Sequence, residues 1–279
     1  MIPRHFIRLQ AIGLIVLAAF GSGCETVQTT QGGVVGIERQ QVVSSLVDRA
    51  ALNREAGQLY QQTLAEARKG NALNRSPEQV TRVRRIADRI IAQVGAFRPD
   101  ARQWQWEVNV ITSKETNAWC MPGGKIAVYT GLIENLRATD DELAQVIGHE
   151  IAHALREHAW ERASRSATAE LGMSIVGIVL GVGQGGMDLA GTVYNVSFQL
   201  PNSREQETEA DRIGIELAAR AGYQPLAAVT LWQKMAQASR GAPPEWLSTH
   251  PAAASREQDL RHYGERVRPL FDEARKRGA

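Results

Sequence analysis

His149-Glu150-Ile151-Ala152-His153 sets three groups able to do chemistry within five residues. On a helix, residues four apart share a face, so the two imidazoles can close on one Zn2+ at about 2.0–2.1 Å. Glu150 then stands beside the metal but turned away from ligation. There it can take a proton from a zinc-bound water, whose pKa the metal lowers to about 7. Two His and one Glu at this spacing are the arrangement of a metalloprotease. Val146, Ile147, Ile151, Ala152 and Leu155 are apolar, so the helix should be largely buried, where unpaired histidines would be costly. A catalytic zinc needs a third protein ligand and one open position. His158 falls off the ligand face and reads as an outer or surface histidine. Downstream carboxylates are concentrated in Glu205, Glu207, Glu209 and Asp211, on a polar helix whose Ala210, Gly214 and Ala218 permit close approach to another helix. Spacing does not choose among the three Glu. Glu207 and Asp211 are four apart, so one can ligate while the other orients a ligand histidine.

The elements that must position these groups are legible around them. Thr139-Asp140-Asp141-Glu142 is a capping box that opens the HEIAH helix, which should run past Trp160. Ser76-Pro77-Glu78-Gln79 starts another helix, expected to reach about Val94. Trp104–Ile111 alternates and reads as a strand, and Thr116–Met121 and Lys125–Thr130 read as two more, joined at Pro122-Gly123-Gly124. The strand carrying Asn117, Ala118 and Trp119 is expected beside the cleft, where an extended substrate can add to its edge; an ordinary interior strand is the alternative. Glu38–Lys69, Ser203–Ala221, Pro225–Ala238 and a charged segment from about Ala252 read as helical, with a break at Gly241–Pro244. Leu171–Leu200 is apolar and Gly-rich; it reads as a lid, a plug, a surface for unfolded chains, or a plain buried helix. The fold class is α+β, mainly helical, with one small sheet in the first half.

Lys+Arg number 32 and Asp+Glu 30 among 279 residues, a balance that excludes nucleic acid as the expected partner. Two cysteines make neither a disulfide framework nor a Cys-only metal site. Arg4 and Arg8 precede the apolar run Ala11–Phe20, and Gly21-Ser22-Gly23-Cys24 follows, so the N-terminus reads as an export signal. The last four of these residues resemble a bacterial lipobox, with Leu expected where Gly21 stands. That resemblance makes Cys24 the lipidated first mature residue, and Glu25 after it favours the outer membrane. Without residues 1–23 the acids and bases are equal in number, so attachment would rest on lipid rather than on a basic patch. The remaining thiol, Cys120, is expected to be buried. The organisation expected is a signal peptide over 1–23, a lipidated tether over 24–37 and a zinc metallopeptidase domain over 38–279.

HEIAH followed by Ser203-Arg204-Glu205-Gln206-Glu207-Thr208-Glu209-Ala210-Asp211 resembles the HtpX, CAAX-prenyl-protease and Oma-like zinc metallopeptidases. Asn117–Gly124 with Tyr129-Thr130-Gly131-Leu132 matches the segment this family carries before its zinc helix, and Ser248-Thr249-His250-Pro251 resembles a motif near its C-terminus. The resemblance covers roughly Val80 to Arg268. It implies a gluzincin-type fold with one zinc held by His149, His153 and Glu207, Glu150 as base and Asp211 behind a ligand. It also implies that His250 either approaches the zinc in place of water or steadies the tetrahedral intermediate. With no polytopic membrane segments, the chain looks like the lipoprotein branch, which faces the periplasm and acts on misfolded or stalled envelope proteins. A periplasmic chaperone or assembly factor with a largely structural or self-inhibited zinc site is the alternative.

Overall fold

The computed structural model describes residues 24–180, 188–238, 244–251 and 255–278, with backbone alone over 171–180. The leader expected over 1–23 lies outside the described residues. The segment 24–37 is not a free tether. Cys24–Val27 (β1) pairs antiparallel with Gln41–Ser44 (β2), Val35 and Ile37 are buried, and Gln31 N–H donates to Phe97 O at 2.7 Å. Gly33 and Gly36, at φ +63° and +70°, turn the chain so that this arm lies on the domain. The helix expected from Glu38 therefore begins only at α1 (Arg49–Lys69), where the Asp48 carboxylate accepts from Ala50 N–H.

In α2 (Pro77–Ile91), Ser76 caps through Gln79 N–H and Pro77 holds the first position. This helix buries Val80, Val83, Ile86 and Ile90 and stops three residues short of Val94, which begins a short 3-10 turn. Strands β3 (Glu107–Ile111), β4 (Ala118–Met121) and β5 (Lys125–Tyr129) form a sheet in the order β3-β5-β4, β3 parallel and β4 antiparallel to β5. Gly123 and Gly124, both with positive φ, make the tight β4–β5 link. Period two divides the sheet's two faces. Val108, Val110, Ala118, Ile126 and Val128 join the main core, while Ile111, Trp119, Met121 and Ala127 pack with Tyr60 and Leu64 of α1.

After α3 (Thr130–Asn135) comes α4 (Asp140–Leu155), opened by the Thr139/Glu142 capping box and buried at every residue from Glu142 onward. It does not run past Trp160. Arg156 ends it and Glu157 takes φ +54°, so that α5 (His158–Leu180) starts in a new direction. Of the Leu171–Leu200 stretch, 181–187 and the side chains of 171–180 lie outside the described residues. Its remainder forms α6 (Leu189–Tyr194) and a π-turn over Asn195–Gln199. Helices α7 (Arg204–Arg220), α8 (Ala227–Ala238), α9 (Trp246–Thr249) and α10 (Arg256–Lys276) complete the chain. Positions 241–243 of the expected break and 252–254 lie outside the described residues. Among the described residues no helix is long and apolar enough to cross a membrane.

Helix α4 crosses α7 at Gly148 and Gly214, close enough that a Cβ on Gly214 would lie 2.7 Å from His149 N. That approach is the one the small residues of α7 suggested. It brings the face of α7 carrying Glu207 and Asp211 onto the HEIAH face.

Candidate active site

His149 and His153 project from one face of α4 with their Nε2 atoms 3.0 Å apart. Glu207, in the first turn of α7, reaches them: Oε1 is 3.3 Å from His153 Nε2 and Oε2 is 3.5 Å from His149 Nε2. His250, just after α9, supplies a fourth donor, Nδ1, at 3.2 Å from His149 Nε2 and 2.9 Å from Glu207 Oε1. All four residues are buried, and one ligand atom from each lies within 4.8 Å of the others.

These donors fit a zinc ion. Ligands at 2.0–2.1 Å in a tetrahedron stand about 3.3 Å apart, and the observed separations run from 2.9 to 3.5 Å. His149 Nδ1 donates to Asp211 Oδ1 at 3.0 Å, which leaves its Nε2 lone pair facing the cluster. A cation is what an inward-facing lone pair and a buried carboxylate call for. Burial alone would raise the Glu207 pKa, but His250, His149 and His153 hold it well below the usual carboxylate range. Burial pushes His153 well below its ordinary value, despite the opposing hydrogen bond of Glu207.

Each expected site residue can now be placed. Asp211 stands behind His149, itself held by Arg256, whose Nη2 donates to Asp211 Oδ1 at 2.7 Å. Glu150 is buried and outside the ligand set; its Oε1 accepts from Trp246 Nε1 at 2.7 Å and lies 3.4 Å from His250 Nε2. Glu205 plays no part in the cluster, and Glu209 turns to His158, Arg39 and Arg156 instead. His158 is wholly buried rather than on the surface: the turn at Glu157 brings its Nδ1 to 2.7 Å from His153 Nδ1. Cys24 is exposed at the start of β1, and Cys120 is half-buried rather than enclosed.

Asn117, Ala118 and Trp119 lie along the cleft, on an edge strand rather than an interior one. Tyr129 N–H donates to Asn117 O at 3.0 Å, which fixes the phase of pairing. Alternation then turns the backbone groups of Ala118 and Cys120 to the open edge, where the Ala118 N–H donates to Asn117 Oδ1 at 2.9 Å. The cleft, a cavity of about 490 Å³, has Glu150, His153 and His250 at its floor and Val196–Leu200 as its opposite wall.

Sequence reasoning missed Trp246 and Arg256. Trp246 stacks on His250 at 4.4 Å between ring centroids, and the Arg256 guanidinium lies 3.9 Å over Trp232. No local pattern marks either, because each reaches the site from a separate element.

The model of peptidase family M48 matches residues 77–264, and the chain belongs to that family. It carries the family's metallopeptidase domain, and zinc is the metal that family and donor set share. The chain is 41% identical over 156 residues to the mitochondrial metalloendopeptidase OMA1 of Arabidopsis thaliana, covering 56% of this chain and 31% of that protein. It is 31% identical over 178 residues to the OMA1 of Saccharomyces cerevisiae, covering 61% and 50%. It is 35% identical over 176 residues to the beta-barrel assembly-enhancing protease of Escherichia coli, covering 58% and 35%. The chain thus spans between 31% and 50% of the length of these relatives.

Proposed function

We propose that the protein is a zinc-dependent endopeptidase that cuts misfolded or stalled envelope proteins on the periplasmic side of the outer membrane. The observation that carries this reading is the buried His149–His153–Glu207–His250 cluster lying directly under an open strand edge. Bound there, zinc would supply a Lewis acid that polarises a carbonyl and lowers the pKa of water. The chain's own groups do the rest. The Ala118 carbonyl and the backbone groups of Cys120 hold an extended segment by strand addition, which reads main chain more than side chains. Glu150 offers a carboxylate oxygen at the cleft floor to take the proton of the attacking water and hand it to the leaving amine. Trp246 fixes that carboxylate through its indole N–H. A cleft beside an edge strand suits an extended, unfolded segment, which matches a role in quality control.

The envelope setting is supported by the leader pattern ending at Cys24 and by the likeness to the beta-barrel assembly-enhancing protease. Since Cys24 opens β1, a lipid on it would seat the domain close to the membrane rather than on a long tether. A second reading, an assembly factor with a self-inhibited zinc site, draws on His250 filling the fourth donor position. Hydrolysis of casein by the purified protein, with and without chelator, separates the two. Chelator-sensitive cleavage supports the endopeptidase, and intact casein at full zinc loading supports the assembly factor.

A further inference from the structure

His153 differs from His149 in what stands behind it. A ligating histidine normally donates its other ring N–H to a carboxylate or carbonyl, as His149 does to Asp211. Behind His153 stands another imidazole. We propose that His158 and Glu209 form a relay that fixes the ring of His153 as a metal ligand, and that Arg39 of the N-terminal arm locks the relay in place.

The donors and acceptors leave one consistent arrangement. To ligate, His153 must present an unprotonated Nε2, so its ring proton sits on Nδ1. The atom facing that proton is His158 Nδ1, 2.7 Å away, which must then accept. Neutral His158 accordingly carries its own proton on Nε2, and this donates to Glu209 Oε2 at 3.0 Å. Glu209, ionised, can only accept, and it ends the chain of donors. Its carboxylate is gripped from two sides. Arg156 donates to it from Nη2 at 3.0 Å and from Nε at 3.1 Å. Arg39 donates from Nε at 2.7 Å and from Nη2 at 2.9 Å. Arg39 lies just past the stretch read as a tether and ahead of β2, and from there it reaches to within two side chains of a zinc ligand.

This proposal rests on the zinc reading of the site, yet its first test does not. Long-range proton–nitrogen correlation on the wild-type protein, metal-free and zinc-loaded, reports which ring nitrogen of each histidine is protonated. Protons on His153 Nδ1 and His158 Nε2 are expected; a proton on His158 Nδ1 overturns the relay even if the protein binds no zinc at all. The second test is zinc competition against a chromogenic chelator. His158→Leu should weaken zinc by about 10–100-fold, the usual cost of losing a partner behind a ligand. His158→Gln, whose amide can accept from His153 and donate to Glu209, should restore most of that affinity. Equal zinc affinity in the Leu and Gln variants would refute the relay. Arg39→Gln should weaken zinc by a smaller factor, and unchanged affinity would refute the lock. If His158→Leu does not fold, the tautomers of the wild-type protein decide.

Discussion

Gly148 and Gly214 meet backbone to backbone where the zinc helix crosses α7: a Cβ on Gly148 would lie 2.8 Å from Gly214 O. The contact is one residue from His149 and two helical turns from Glu207, so it sets the gap between the two halves of the ligand set. Gly214→Ala must push the helices apart. It should cost about 1–3 kcal/mol, as overpacking does, and should lower zinc content as well. Denaturant unfolding and metal assay on the same sample check both, and a variant unchanged in both would show that the crossing does not set the site.

The third ligand is tested by ranking carboxylates. Glu207→Ala should lose most of its zinc, because the carboxylate touches both histidines. Glu205→Ala should keep its zinc, because Glu205 is exposed and outside the cluster. A metal assay that ranks Glu205 above Glu207 would contradict the geometry.

How much of this was legible in the sequence depends on whether the signal is local. The HEIAH face, the Thr139–Glu142 capping box, the Ser76 cap and the i, i+4 pair Glu207/Asp211 are local, and the structure places them as the spacing suggested. The β1–β2 hairpin was read as tether and helix because its strands are four residues each and largely polar, and what seats the arm is long-range packing by Val35 and Ile37. The end of α4 was missed for another reason. Glu157 adopts φ +54° with neither Gly nor Pro to mark the turn, and His158 depends on that turn for its place. Trp246 is legible only in three dimensions.

His250 is expected to restrain the resting enzyme. It occupies the fourth donor position while Trp246, stacked on it, engages Glu150. His250→Ala should retain zinc on three residues and cleave a short unstructured peptide faster than the wild type. Kinetics at matched zinc occupancy decide. A fall of about 10²-fold or more would instead assign His250 to oxyanion stabilisation, and an unchanged rate would leave it without a part in the reaction.

Cys24→Ala should release the protein from the membrane fraction or leave its leader uncleaved. The substitution is at an exposed position at the edge of the β1–β2 hairpin, so the fold should not change. Fractionation and intact mass check this outcome, and normal processing with full membrane attachment would contradict the lipid anchor.

The central claim is that zinc sits on His149, His153 and Glu207 while Glu150 moves the proton. Its most direct measurement is casein hydrolysis by wild type and Glu150→Gln, each loaded with the same measured zinc. The account expects equal metal content and a loss of at least the roughly 10²–10⁴-fold that general-base catalysis provides. Equal rates in the two proteins would contradict it.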